Sequence, residues 1–378
     1  MLDAQPLMFS RRAQWSAPQN RLSLARARHP HALDLTESNP TRAQLDYPHE
    51  DLAEAMARAA RASYDPQPLG LRSARETLAE HVGRASARPC HPDDVVITAS
   101  TSEAYSFLFK LLTDPGDTIL TTTPSYPLLE HLASLELVTL HHFPLELHRR
   151  WEIAHVPVDD AARAIVVVSP NNPTGSFVTA AEQDALAAHG LPVISDEVFR
   201  DYNFVQQAPS FVRDDVLTFA LGGLSKSAGL PHYKLGWIHV GGPAQAKREA
   251  IEALELIADN FLSVATPVQV ALPDLLRLGN TIRARIQARI AANLAHLQEA
   301  IKQRRDYQLL PVEAGWSAVI RIPATQSDED FALHLLEEKG VLVHPGYFFD
   351  FPSDGYFVVS LLTPPEIFID GIAKTLAP

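Results

Sequence analysis

Between Asp94 and Val240 short apolar runs alternate with helical patterns, and this alternation limits the fold more than any other feature of the chain. Val95–Thr98, Thr118–Thr121, Ala164–Val168, Val193–Ser195, Leu217–Ala220 and Leu235–Val240 are apolar over most of their length, as strands covered on both faces are. Helical spacing fills several of the gaps, for example at Ser102–Leu112 and Thr179–Ala188. Buried strands joined by helices predict an α/β fold with a mainly parallel central sheet flanked by helices. A long helical pattern then runs from Pro267 to Arg305, with a break expected near Gly279. Beyond it, strand patterns at Trp316–Ile322, Val341–His344 and Phe357–Leu361 mix with helices at Asp328–Lys339 and near Pro365–Leu376. That change of grammar predicts a smaller α+β domain. The chain has 378 residues, more than the ~250–300 at which a single core tends to divide. The expected division is an N-terminal arm with part of the small domain over 1–45, a large domain over 46–266, and an interdomain helix with the C-terminal small domain over 267–378.

Charge and composition narrow the partners. With 45 acidic against 32 basic side chains the formal charge is −13, and no long Lys/Arg block interrupts the sequence, so nucleic acid is not an expected ligand. No run of about 18 apolar residues occurs, so no membrane-spanning helix is read. Met1–Pro30 is polar, carries arginines and lacks an apolar signal core; it reads as an arm, with a mitochondrial-type presequence as the alternative. Cys90 is the single cysteine, which excludes an internal disulfide and fits a reducing cytoplasm. No metal site is expected.

Three segments carry chemistry. In Leu224-Ser225-Lys226-Ser227-Ala228-Gly229-Leu230-Pro231 a lysine follows a strand among small residues, which let a bulky group approach the backbone. Alone it reads as a surface charge. Asp196, at the end of Leu191–Glu197, places a carboxylate at the carboxyl edge of a buried strand, where α/β enzymes hold functional groups; a helix N-cap is the plainer reading. Ser169-Pro170-Asn171-Asn172-Pro173-Thr174-Gly175 is a turn-forming run after another strand, and Asn172 could donate to the phenolic oxygen of a cofactor. A pyridoxal-phosphate (PLP) site needs a lysine for a Schiff base and an acid that keeps the pyridine nitrogen protonated.

From about Leu33 to Leu376 the chain resembles the class I/II aminotransferases of PLP fold type I. Asn172-Pro173-Thr174-Gly175 and the run Ser225-Lys226-x-x-Gly229-Leu230-Pro231-x-x-x-Leu235-Gly236-Trp237 carry the likeness, and together they are very specific. The resemblance implies that Lys226 holds the cofactor, that Asp196 pairs with its pyridine nitrogen, and that Asn172 binds its ring oxygen near the substrate. It also implies phosphate binding by Ser100, Thr101 and Ser102 at a helix start, as backbone amides there would allow, and by Ser225. Tyr126, in Pro124-Ser125-Tyr126-Pro127, would stack on the pyridine ring. Tyr64 would reach the phosphate of a neighbouring subunit, so a homodimer is expected. Ser38, Asn172 and His344 are the expected substrate contacts.

Three departures stand against these matches. Lys234 occupies the place of an arginine that forks onto the phosphate; it keeps the charge but not the planar geometry. Phe199 stands where a tyrosine usually donates to the ring oxygen. Val358 stands where an arginine usually pairs with the substrate carboxylate, with Arg321, His344 and His232 as candidate substitutes. The expected reaction is transamination from an amino donor to a 2-oxo acid acceptor. Decarboxylation or β-elimination on the same cofactor is the alternative, and a non-catalytic PLP-binding protein is a third. The run Tyr347-Phe348-Phe349 suggests a hydrophobic or aromatic substrate, with core packing as the plainer role.

Overall fold

The computed structural model describes residues 9, 10, 12, 19–86, 88–302 and 304–377. Of the expected arm, residues 1–8, 11 and 13–18 lie outside the described residues. In chain order the helices are α1 (Arg21–Arg28), α2 (His49–Ala59), α3 (Arg72–Ser86), α4 (Thr101–Leu112), α5 (Leu128–Leu135), α6 (Ala180–Ala187), α7 (Leu224–Ser227), α8 (Ala244–Asp259), α9 (Thr266–Val270), α10 (Leu272–Lys302), α11 (Asp328–Lys339) and α12 (Pro365–Leu376). The strands are β1 (Leu33–Asp34), β2 (Val95–Thr98), β3 (Thr118–Thr123), β4 (Thr139–Leu147), β5 (Trp151–Ile153), β6 (Ala162–Val168), β7 (Val193–Asp196), β8 (Thr218–Gly223), β9 (Gly236–Gly241), β10 (Gln308–Leu309), β11 (Ser317–Arg321), β12 (Val341–Leu342), β13 (His344–Pro345) and β14 (Tyr356–Ser360).

An eight-stranded sheet of order β2-β9-β8-β7-β6-β3-β4-β5 forms the centre. Strands β4, β3, β6, β7 and β8 are parallel to one another. β9 runs antiparallel between β8 and β2, and β5 runs antiparallel to β4. Helices α4, α5 and α8 cover one face, where Phe107, Leu108 and Leu254 pack on Val166, Ile194 and Phe219. α6 covers part of the other, with Leu186 against Ile165, Val167 and Val193. Burial on both faces explains the unbroken apolar runs, since each buried Val, Leu or Ile contributes about 1.5–3 kcal/mol relative to exposure. β4 and β5 were not expected as strands. β4 mixes exposed and half-buried residues with buried Phe143 and Leu145 and contains His141, His142 and Pro144, so its composition hides a strand that pairs in register with β3 from Thr118↔Thr139 to Thr123↔Pro144.

A second sheet, β10-β11-β14-β13, is antiparallel, and β1 pairs in parallel with β12. The expected strand Val341–His344 divides into β12 and β13. α1 lies along α11, burying Leu22 and Ala25 and pairing Arg21 with Glu329 at 3.0 Å and Asp330 at 2.9 Å.

The helix break expected near Gly279 falls instead at Ala271, between α9 and α10. α10 runs unbroken through Gly279, because glycine serves proximity there. A Cβ at this position would lie 2.5 Å from the Cβ of Ala228, two residues beyond Lys226. From the other side Gly229 adopts φ +65°, and a Cβ there would lie 2.7 Å from Ile282 on α10. α10 is thus pressed onto the Lys226 segment. Helix propensity alone gives Gly279→Ala a gain of about 1 kcal/mol, against an overpacking cost of about 1–3 kcal/mol. The expected result is unchanged or lowered thermal stability, read from melting curves. A stabilised variant would refute the close contact.

Candidate active site

The sheet topology gathers most of the chemistry-bearing residues at one edge. β3, β6, β7 and β8 end there at Thr123, Val168, Asp196 and Gly223, and antiparallel β9 begins there with Gly236 opposite both Gly223 and Thr98. The segments leaving or entering this edge carry Ser100–Ser102, Tyr126, Asn172, Asp196, Ser225, Lys226 and Lys234. The carboxyl edge of parallel strands is where such sheets bind ligands.

Lys226 lies in α7, its carbonyl accepting a 2.5 Å hydrogen bond from Tyr202 Oη. Its Nζ sits 4.9 Å from the Trp316 ring and 5.5 Å from the Phe199 ring. Burial lowers the amine to about 8, and Asp196 opposes that by favouring its charged form. Asp196 is 8% exposed. Its Oδ1 accepts from the Val198 amide and its Oδ2 from Tyr105 Oη, each at 3.1 Å. Burial raises its carboxyl to about 6, although both hydrogen bonds pull it down. Neither Lys226 nor Asp196 forms an ion pair among the described residues. The neighbouring Glu197 is engaged elsewhere, accepting from Ser210 Oγ and the Phe211 amide at 2.7 Å each.

α4 starts at this edge for a local reason. Ser100 is its N-cap and accepts from the Glu103 amide at 3.2 Å, while Glu103 accepts from the Ala99 amide at 2.6 Å. The amides of Thr101 and Ser102, in the first turn, have no carbonyl four residues back within the helix. Asn172 accepts from Ser317 Oγ at 3.1 Å through Oδ1, which leaves its Nδ2 as a donor. Asn171 is committed to the turn, donating to Pro124 O at 3.0 Å and Thr174 Oγ1 at 2.9 Å. Tyr126 is exposed over 47% of its surface, and Lys234 is exposed with φ 50°.

Other expected residues lie apart from this cluster. Tyr64 is 71% exposed between α2 and α3. Ser38 is exposed and follows Glu37, whose carbonyl accepts from Ser360 Oγ at 2.6 Å at the end of β14. His344 pairs with Val358 across β13 and β14 and packs near Phe348 and Phe349; burial lowers it to about 4, so it is neutral at physiological pH. Sequence reasoning missed Tyr105, Trp316 and Ser317. Tyr105 lies within the apolar run of α4, where an aromatic reads as core, and nothing in the sequence sets Trp316 or Ser317 apart.

The sequence profile described as "Aminotransferase class I and II" matches residues 30–367. The chain belongs to that family. One curated relative of the chain is nicotianamine aminotransferase 1 of Oryza sativa subsp. japonica, 31% identical over 229 residues, covering 56% of this chain and 46% of that protein. Another is glutamate-pyruvate aminotransferase AlaA of Escherichia coli (strain K12), 28% identical over 262 residues, covering 65% of this chain and 63% of that one. The chain spans about half the length of the first curated relatives it matches, 46% of the Oryza sativa protein and 58% of nicotianamine aminotransferase B of Hordeum vulgare. In fold the chain is similar to an alanine aminotransferase from Pyrococcus furiosus, with TM-score 0.85, 24% identity and coverage of 93% of this chain and 94% of that one. It is similar also to an aspartate aminotransferase from Thermotoga maritima, with TM-score 0.80, 20% identity and coverage of 97% and 98%.

Family and fold imply PLP, and the donor set fits it. A desolvated amine stands ready for an aldehyde, and a buried carboxylate without a cationic partner suits a protonated pyridine nitrogen. A helix N-terminus and an exposed lysine suit a phosphate.

Proposed function

We propose that this chain is a PLP-dependent aminotransferase, moving an amino group from an amino acid or amine to a 2-oxo acid with Lys226 as the cofactor-bearing base. The observation that carries the reading is the half-buried Lys226 amine sharing one sheet edge with the buried Asp196 carboxylate. When bound, PLP supplies a carbonyl that takes the amino group and a ring that accepts the electrons left when a proton departs. The protein supplies the rest. The Thr101 and Ser102 amides, with Ser100, Ser225 and Lys234, would hold the phosphate. Tyr126 would lie against the ring, Asn172 Nδ2 would donate to the ring oxygen, and Asp196 would hold the nitrogen proton. The Lys226 amine, lowered to about 8, would serve as the base that holds and moves the proton of the donor's α-carbon at Nζ. We read the active unit as a homodimer completed by Tyr64 of the second copy, and the lone Cys90 as consistent with a cytoplasmic setting.

The test is product balance with purified, PLP-loaded protein, a panel of amino acids and amines, and 2-oxo acids as acceptors. One oxo or aldehyde product per amino acid formed supports transfer; carbon dioxide, or ammonia with pyruvate, instead supports lyase chemistry. The lyase reading keeps some support from the surroundings of Val358, which is buried among Leu145, Trp151 and Phe349. Of the three candidate substitutes, Arg321 is exposed and bonded to Gln308, His344 is neutral, and His232 is exposed. A donor without an α-carboxylate, or one that loses it, suits such surroundings.

Attachment of PLP requires the neutral amine. Because Lys226 lies at about 8, its reactive fraction grows roughly tenfold per pH unit below that value and levels off above it. The rate at which apoprotein takes up PLP covalently is therefore expected to rise from pH 6 and flatten past about 8, read by stopped-flow absorbance. A rate still climbing steeply toward 10.5, the ordinary lysine value, would contradict the lowered amine.

A further inference from the structure

We propose that Tyr105 is a positioning residue that keeps Asp196 ionised and aimed, so that the shared proton stays on the cofactor's pyridine nitrogen. This rests on the reading of Asp196 as the nitrogen's partner. Tyr105 is 5% exposed and lies in the second turn of α4, the helix whose first turn faces the phosphate. Its hydroxyl donates to Asp196 Oδ2 at 3.1 Å, while the Val198 amide takes Oδ1 at 3.1 Å. With one donor on each oxygen the carboxyl plane is fixed and the negative charge is spread over two bonds. Burial and the adjacent carboxylate hold the Tyr105 phenol in its protonated form, so it acts as a donor at every working pH. The other titratable groups acting on Asp196 are Tyr126, Glu197 and Lys226.

The chemistry follows from basicity. A buried carboxylate is a strong base, and a sufficiently basic one would draw the proton off the pyridine nitrogen, leaving a neutral acid beside a neutral ring. A hydrogen bond from Tyr105 lowers that basicity and favours the ion pair, in which the ring is the better electron acceptor. One α-helix would therefore set both the seat of the phosphate and the charge beside the pyridine nitrogen.

The test compares wild type, Tyr105→Phe and protein carrying a fluorinated tyrosine at position 105, each loaded with ¹⁵N-labelled PLP. Borohydride trapping on Lys226 and mass spectrometry confirm attachment. In Tyr105→Phe the ¹⁵N resonance is expected to move from the pyridinium toward the pyridine position, PLP to dissociate about tenfold more readily, and kcat to fall about tenfold with KM nearly constant. The more acidic fluorinated phenol preserves the shape and is expected to tighten PLP retention. It keeps the test decisive if the phenylalanine variant misfolds. A resonance and PLP affinity unchanged in both variants would overturn the role of Tyr105 alone. A wild-type protein that never attaches PLP at Lys226 would instead remove the underlying reading, and this inference with it.

Discussion

Lys226→Ala is expected to fold, to bind PLP without covalent attachment, and to transfer no amino group. Lys226 is assigned two tasks, anchoring the cofactor and moving the α-proton, and its amine is the one whose charge acts on the Asp196 carboxylate. Loss of a positioned general base costs roughly two to four orders of magnitude, and loss of the covalent route adds to it. A fall in kcat of at least about 10⁴ is therefore expected, with PLP affinity reduced far less because the phosphate contacts remain. Stability is expected to hold or rise, since removing a desolvated amine leaves no ion-pair partner behind it. Partial rescue of single-turnover proton transfer by added methylamine would mark the base role specifically. Full activity in the alanine variant, with PLP attached elsewhere, would end the assignment.

Asp196→Asn is expected to move stability and activity in opposite directions. The carboxyl lies at about 6 in the folded apoprotein against an ordinary 3.8, so the native state holds its proton more tightly than the unfolded chain. A group raised in this sense contributes stability fully below the unfolded value and loses it as pH rises through about 6. A shift of this size corresponds to at most about 3 kcal/mol of instability at neutral pH. The asparagine variant removes that penalty; its oxygen can still accept from the Val198 amide while its Nδ2 faces the Tyr105 oxygen, and the lost Tyr105 bond offsets about 0.5–1.5 kcal/mol, so apoprotein melting above pH 6 is expected to shift upward by less than the full penalty. Activity is expected to fall by about two to three orders of magnitude, because the pyridine nitrogen then has no anion to hold its proton and a broken buried pair costs about 3–5 kcal/mol. Calorimetry and single-turnover kinetics on the same preparation test both halves. A variant that melts lower and still turns over at the wild-type rate would exclude Asp196 as the nitrogen's partner.

The sheet was legible where strands are buried on both faces. Val95–Thr98 coincides with β2, and Asp328–Lys339 and Pro365–Leu376 with α11 and α12, because apolar periodicity and terminal signals agree there. β4 was not legible, since a strand of alternating exposure near the end of the sheet, with two histidines and a proline, lacks that pattern. Gly279 was misread because glycine in a helix signals either a break or a close approach, and only the partner helix or loop decides which. At the site, residues in chain-local motifs such as Asn172, Ser225 and Lys226 could be placed at once. Tyr105 and Ser317 could not, because their roles arise from pairing across 91 and 145 residues of chain with Asp196 and Asn172.

The most direct test of the central claim is a half-reaction. Purified protein is loaded with PLP, given single amino acids and amines in turn without any acceptor, and its cofactor is released and identified by mass spectrometry. Conversion to pyridoxamine phosphate, in equal amount to the oxo or aldehyde product and abolished in Lys226→Ala, is the predicted result. Cofactor recovered as pyridoxal phosphate with every donor, while carbon dioxide or ammonia accumulates, would contradict it.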